Sequence, residues 1–388
     1  MTWAEIAIGD LGRIVTGDTP PRKNPEYYGS AYPFIKPTDM TVGQRLTMTY
    51  EEGYSEDGFA KYRKKLIPAG STAVVTIGSI GQKLTWLHAD CFVNQAVNAV
   101  VPDRAKFDSL YVYYLLKHNL NLVKQADTGA SSGRENVSKS NFSALTVWAC
   151  LDLNTQKQIA EVLDALDSSI EANQRRIALL EDAARRLYRE WFVHLRFPGH
   201  ESVPVKDGVP EGWEQKPLGD IAPLNYGKAL KSTERKYGMV PVYGSSGIVG
   251  SHNAALIDSG AIIVGRKGNV GSLYFSPVRC FPIDTVYYIA PAQASYRLFL
   301  ALHQLNFISS DAAVPGLNRT YAHSLLVLQP SDDVAETFER LVRPVFEQIQ
   351  QLTEQNTTLA QARDLLLPKL MSGQLDVSGI ALPDEVAA

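Results

Sequence analysis

Two long stretches of the chain repeat apolar residues at alternating steps of four and three. The first runs through Leu163, Leu166, Ile170, Asn173, Ile177, Leu180, Ala184, Leu187 and Trp191. The second runs through Phe338, Val342, Val345, Ile349, Leu352, Asn356, Leu359, Arg363, Leu366 and Leu370. Spacing of this kind, held over about four heptads, predicts helices with a narrow coiled-coil seam rather than a broad amphipathic face. A narrow seam needs another helix, and each stretch is the other's obvious partner. Pro344 is expected to kink the second helix or restart it. Asn173 and Asn356 are the polar intruders. One buried asparagine left unpaired against leucine costs roughly 1–3 kcal/mol, whereas two can bond each other. The favoured antiparallel register therefore puts Asn173 opposite Asn356. Leu180 then meets Ile349, Ile177 meets Leu352, Ile170 meets Leu359, Leu163 meets Leu366, and Trp191 lies near Phe338. Arg363 would fall opposite Leu166 and is expected to snorkel to the rim.

Outside these stretches the chain is written twice. Trp3, Gly9, Asp10 and Gly17 recur as Trp213, Gly219, Asp220 and Gly227; Gly70, Gly78 and Gly81 recur as Gly260, Gly268 and Gly271. Cys91-Phe92 returns as Cys280-Phe281, and Pro102 as Pro291. A repeat this long marks two related domains, each followed by a long helix, not a solenoid. Ala73–Val75 and Ala261–Val264 read as strands ending in glycine turns, while Leu110–Leu116 and Tyr296–Leu305 carry helical spacing. The fold class expected is α+β. It places a first domain over 1–152, a spacer helix over 153–197 and a proline-rich linker over 198–211. A second domain follows over 212–331, then a spacer helix over 332–373 and a tail over 374–388.

The composition fits this picture. The chain has 388 residues, 45% hydrophobic and 20% charged, enough for two or three cores and too apolar for disorder. No apolar run approaches the ~20 residues of a membrane helix, and MTWAEIAIGD has no signal-peptide pattern. Cys91, Cys150 and Cys280 are scattered and form no C-x-x-C pair, which suits a reducing cytosol and excludes a disulfide scaffold. The net charge of −3 hides a pattern: residues 1–150 carry +2, 212–330 carry +4 and 331–388 carry −6. A polyanion would be drawn to the two domains and repelled by the tail.

Catalytic signatures are absent. There is no phosphate-binding G-x-x-x-x-G-K-[ST] loop, and GSSGIVG at 244–250 has the wrong glycine spacing for a dinucleotide loop. The seven histidines show no metal-binding spacing, so no metal site is expected. DTPPRKNPEYY at 18–28 lacks the order of a methyltransferase N-P-P-[YF] tetrad. What remain are basic and polar loops. In the first half they carry Arg22, Lys23, Tyr27, Lys36, Lys61, Arg63, Lys64, Lys65, Lys83, Arg134, Asn136 and Lys139. In the second they carry Lys228, Lys231, Arg235, Lys236, Arg266, Lys267, Asn318 and Arg319. Any one of these alone is more commonly a solvated surface residue. Their recurrence in corresponding loops of two repeats points to a duplicated nucleic-acid reader.

Several segments carry a family resemblance: GRIVTGDTPPRKNPEYYGSAYPFIKPTDM at 12–40, WFVHLRFPGHES at 191–202, VPEGWEQKPLGDIA at 209–222 and RDLLLPKLMSGQLDVS at 363–378. In motif, order and spacing the chain resembles the DNA-specificity subunit of type I restriction-modification systems over nearly its whole length. The resemblance implies two target-recognition domains joined by two antiparallel spacer helices. Each domain would read one half of a bipartite site in double-stranded DNA, and the helices would set the unread gap. It implies no catalytic residue and no cofactor bound by this chain. AdoMet, Mg²⁺ and ATP would belong to partner modification and restriction subunits, in the cytoplasm. Two other readings remain open at this point: a specificity subunit of a methylation-only or fused system, and a non-DNA adaptor whose coiled coil holds two protein-binding domains. The base contacts do not carry over from the resemblance.

Overall fold

The computed structural model describes residues 2–127, 135–308 and 316–377. They divide into two compact units, one drawn from Met1–Ala172 and Gln355–Ala388, the other from Asn173–Glu354. The division cuts both long helices, Leu153–Tyr188 and Asp332–Met371. Each unit therefore holds half of one long helix and half of the other. The second helix runs unbroken through Pro344, so the restart expected there does not occur.

In the first unit, Trp3–Ala7 pairs antiparallel with Thr146–Cys150 and so ties the start of the domain to the strand that leads into the long helix. Gly12–Thr16, Val97–Pro102, Thr72–Val75 and Leu84–Trp86 form a four-stranded antiparallel sheet in that order. A smaller sheet orders Tyr28–Gly29, Glu52–Tyr54, Tyr32–Ile35 and Phe92–Val93, the last pair parallel. The helix Ser109–His118 buries Tyr111 through Leu116 beneath the first of these sheets. Strands buried on both faces read as continuous apolar runs, as Ala73–Val75 does within Thr72–Val75.

The second unit repeats the plan. Glu214–Pro217 pairs with Leu326–Gln329. Asn225–Tyr226, Val286–Ile289, Ala261–Gly265 and Leu273–Ser276 make the four-stranded sheet. The GSSGIVG segment forms the turn and second strand of the hairpin Val240–Gly244 with Gly247–His252, whose first strand runs parallel to Phe281–Pro282. The linker after the first helix closes as a short hairpin, Val205–Lys206 against Val209–Pro210.

The repeated residues hold equivalent places. A Cβ on Gly17 would lie 2.1 Å from the Val93 carbonyl oxygen, and one on Gly227 would lie 2.0 Å from that of Ile283. Both positions bring one strand end hard against a neighbouring backbone, which only glycine permits. Trp213 packs on Phe192 and Phe197, just beyond the end of the first helix. Trp3 packs against Gly373, just beyond the end of the second. Each repeated tryptophan thus seals a helix C-terminus within its own unit.

Helix pairing is antiparallel inside each unit. In the first, Leu163 shares an apolar cluster with Leu367 and Leu370, with Leu366 half-buried beside them. In the second, Phe338 packs on Trp191 at 5.4 Å and on Phe192 at 4.9 Å between ring centroids, as the expected register requires for Trp191. There the first helix ends in a wider π turn, Arg189–Val193, so that consecutive Trp191 and Phe192 both face the core.

Arg363 departs from expectation. It does not reach the rim; its side chain is 9% exposed and its Nη1 donates to Asp167 Oδ1 at 2.6 Å. The neighbour of Leu166 on the facing helix supplies a carboxylate, so the cation stays inside. Asp167, 4% exposed, also accepts from the Tyr114 hydroxyl at 3.0 Å and has Lys117 Nζ at 3.6 Å. Burial holds the Lys117 ammonium below its ordinary pKa, a cost that Asp167 partly offsets. Arg45 adds a second buried tie, bonded to Asp164 and to Glu171.

Removing one partner of a buried pair strands the others, typically at about 3–5 kcal/mol. Asp167→Leu should therefore lower the stability of the first unit by about that amount in urea unfolding followed by tryptophan fluorescence. Adding Arg363→Leu and Lys117→Met should restore most of it, because no charge is then left buried without a partner. If Asp167→Leu unfolds like the wild type, the network contributes nothing.

In the second unit, His323 Nε2 accepts the Leu224 N–H at 2.9 Å, so the ring must be neutral to hold this contact. Burial first, then nearby Arg319, pushes its pKa below 6.5, against a smaller opposing pull from Asp220. As pH falls through 6.5 the unfolded chain takes up the proton before the folded one, so stability is lost on the acid side. The wild type should thus lose more thermal stability between pH 7.5 and pH 5 than His323→Asn. Parallel curves for the two would refute the assignment.

Candidate nucleic-acid interface

The basic residues of the first domain fall into two kinds. Arg22 makes a two-pronged contact with Glu52 and stacks over Tyr28 at 4.7 Å, while Lys36 reaches Glu51 at 2.8 Å and Glu52 at 3.2 Å. Glu52 sits between the two cations, and they hold its carboxyl below the usual carboxylate range. Lys65 donates to the Thr16 carbonyl at 3.1 Å, and Lys83 to the Pro37 carbonyl at 2.8 Å. These four cations are already engaged by the protein. Lys23, Lys61, Arg63, Lys64 and Lys139 are exposed and carry no ion pair among the described residues. The last turn of Glu56–Tyr62 and the turn Arg63–Lys65 present three of them together. Tyr27 meets Tyr62 edge-on at 5.8 Å at the base of that turn. Asn136 is held by a bridge to Ile77 and donates its N–H to Asp127. Arg134 lies outside the described residues.

The second domain concentrates its charge differently. Arg266 lies 5.0 Å and Arg319 4.9 Å from the centre of the Tyr226 ring, which is 50% exposed. Arg266 also overlies Tyr287 at 5.7 Å and donates to the Asp284 carbonyl at 3.0 Å. Neither arginine has a carboxylate within ion-pairing distance among the described residues. Lys267 bridges to Gly316 through its backbone, which brings the Arg266 turn to the segment leading into Arg319–Ser324. Asn318 caps that helix, accepting from the Tyr321 N–H, so its amide serves the fold. Arg235 is tied to the Val249 carbonyl, while Lys228, Lys231 and Lys236 are exposed.

Strand register shows that these are matched positions. In the first domain Thr16 pairs with Asn98 and Asn98 with Val74; in the second Tyr226 pairs with Tyr287 and Tyr287 with Val264. Thr16 donates to Asn98 at 2.6 Å and Asn98 to Thr76 at 2.9 Å, forming a neutral chain. The second domain puts Tyr226, Tyr287 and Arg266 at the same three places. Lys139 and Arg319 correspond likewise, each following a helix cap, Ser138 or Asn318. Tyr226 was not singled out from the sequence. Its alignment with Thr16, one residue before a repeated glycine, was the available signal.

Among the described residues no cluster of side chains could hold a metal ion, and no helix is long and apolar enough to cross a membrane.

A family model described as the type I restriction modification DNA specificity domain matches residues 1–182 and 210–320. The MjaIX specificity subunit, of a type I restriction enzyme from Methanocaldococcus jannaschii, is 25% identical over 410 residues, covering 97% of this chain and 94% of that protein. The HindI specificity subunit of Haemophilus influenzae is 33% identical over 147 residues, 37% of this chain and 31% of its own length. The crystal structure of a type I restriction-modification S subunit from M. genitalium superposes with a TM-score of 0.60 at 18% identity, covering 95% of this chain and 96% of that one. That likeness shows a shared fold. The family model spans well over half the sequence, and the chain belongs to the DNA-specificity subunits of type I restriction-modification systems.

Proposed function

We propose that this specificity subunit reads an asymmetric bipartite site, one half with each domain, and that it contributes no catalytic group of its own. The observation that carries the reading is the contrast just described. Two domains share one frame, yet their polar surfaces differ throughout: the first presents Lys61, Arg63 and Lys64 together on one helix end and turn, a cluster without an equally dense counterpart among the described residues of the second. Equal half-sites would need near-equal surfaces. The exposed cations Lys61, Arg63 and Lys64 in the first domain, and the half-buried Arg266 with exposed Arg319 in the second, are the contacts to duplex DNA. The long helices set the unread gap and dock the modification subunits. Methylation and cleavage, with AdoMet, Mg²⁺ and ATP, belong to modification and restriction subunits in the cytosol. A net charge of −3 limits phosphate neutralisation by the chain alone, so tight binding follows assembly.

Mapping of methylated positions in DNA from cells carrying the chain and its modification subunit should return two different short half-sites around an unspecified gap. Exchanging residues 1–152 for the first domain of another family member should change one half-site and leave the other. A palindrome or a contiguous motif would overturn the reading.

A further inference from the structure

We infer that Arg266 and Arg319, both stacked on Tyr226, form a clamp for the DNA phosphate backbone that only the second domain carries. This rests on the DNA-reading function proposed above.

Two like charges over one half-exposed ring, with no neutralising carboxylate among the described residues, are a poor arrangement unless an anion is to arrive. Asp284 offers Arg266 its backbone carbonyl rather than its carboxylate. Two further cations flank the pair. Lys228 and Lys267 donate their backbone N–H groups to Pro282 and Thr285, on either side of Asp284.

The target is phosphate rather than a base edge because of reach. Arg266 is folded back over Tyr226 and Tyr287 and tied to its own sheet, so its length is already used. A guanidinium held flat at the surface meets what stands highest on a duplex, the sugar–phosphate backbone. Tyr226 is then a positioning residue, fixing two flexible side chains before DNA arrives. The first domain has the neutral Thr16–Asn98–Thr76 chain at these positions and Lys139 in the place of Arg319.

The test uses the subunit assembled with its modification partner and DNA bearing the mapped site. Binding is measured across a salt series for the wild type, for Arg266→Gln with Arg319→Gln, for Tyr226→Phe and for Tyr226→Leu. Each phosphate contact contributes about 0.9 to the slope of log affinity against log salt. The double arginine variant should lower that slope by about one to two units and weaken binding about tenfold or more. The same loss should appear on DNA whose second half-site is scrambled, and the methylated motif should be unchanged. Tyr226→Phe should behave as the wild type, since the ring remains, while Tyr226→Leu should share most of the loss. Should Tyr226→Leu fail to fold, the arginine pair and Tyr226→Phe still decide the matter. An unchanged slope in the double variant, an altered second half-site, or equal losses in Tyr226→Phe and Tyr226→Leu would overturn the clamp. A wild-type complex that binds no duplex would instead overturn the DNA-reading function itself.

Discussion

Asp167 binds three side chains that come from two other segments of the first unit. Tyr114 and Lys117 belong to a helix of the recognition domain, Arg363 to the second long helix, and Asp167 itself to the first. A carboxylate this deeply buried is tolerable only when its lone pairs are filled, and here each filling group is itself buried and in need of the carboxylate. Such mutual dependence is a better device for fixing geometry than for adding stability. Leucines in a seam can exchange neighbours one heptad along at small cost. A buried guanidinium cannot leave its carboxylate without leaving both unpaired. The register of the two helix halves and the seat of the recognition domain upon them are thereby decided at one point, with Arg45 bound to Asp164 and Glu171 as a second fastening.

The second unit solves the same problem with other chemistry. Glu339, early in the second long helix, accepts the N–H groups of Tyr296 and Arg297 at the start of the domain's helix. The Tyr296 ring stacks on Phe346 with centroids 4.3 Å apart, and Trp191, Phe192 and Tyr188 surround Phe338. Here the seat is mostly aromatic, with the polar ties made to backbone. The buried Arg297 is satisfied by Leu328 and Gln329 on the closing strand rather than by an ion pair, and burial lowers its pKa. Duplication preserved the sheets and the seat, and left the groups that fill the seat free to diverge.

Much of this architecture was legible in the sequence because it rests on spacing. The heptads located both long helices, and the paired glycines located both domains. Gly17 and Gly227 are needed where a strand end presses on a carbonyl, a constraint that survives any change of surface. What spacing could not supply was the partner of an off-pattern residue. Arg363 stood out as a cation in a seam, yet the group that retains it is one position away from the seam residue Leu166, where a period-based reading sees only a solvated face. The site was still less legible. Arg266 and Arg319 were visible as arginines, but their common platform, Tyr226, is an ordinary strand tyrosine until three-dimensional register sets it beside Thr16's place in the other domain.

These observations separate two kinds of position in a recognition domain. Gly17 and Trp3 act on the fold, and their counterparts Gly227 and Trp213 do the same in the second unit. The strand-end triad behaves otherwise. Thr16, Asn98 and Thr76 are linked to one another by hydrogen bonds, whereas Tyr226, Tyr287 and Arg266 set a half-buried cation on a ring. Both triads are compatible with the same backbone, because the register of the three strands does not depend on which side chains stand there. A frame fixed by close backbone approach and sealed helix ends can therefore change what its surface meets without repacking. That separation lets the surface of a recognition domain vary while its packing stays the same.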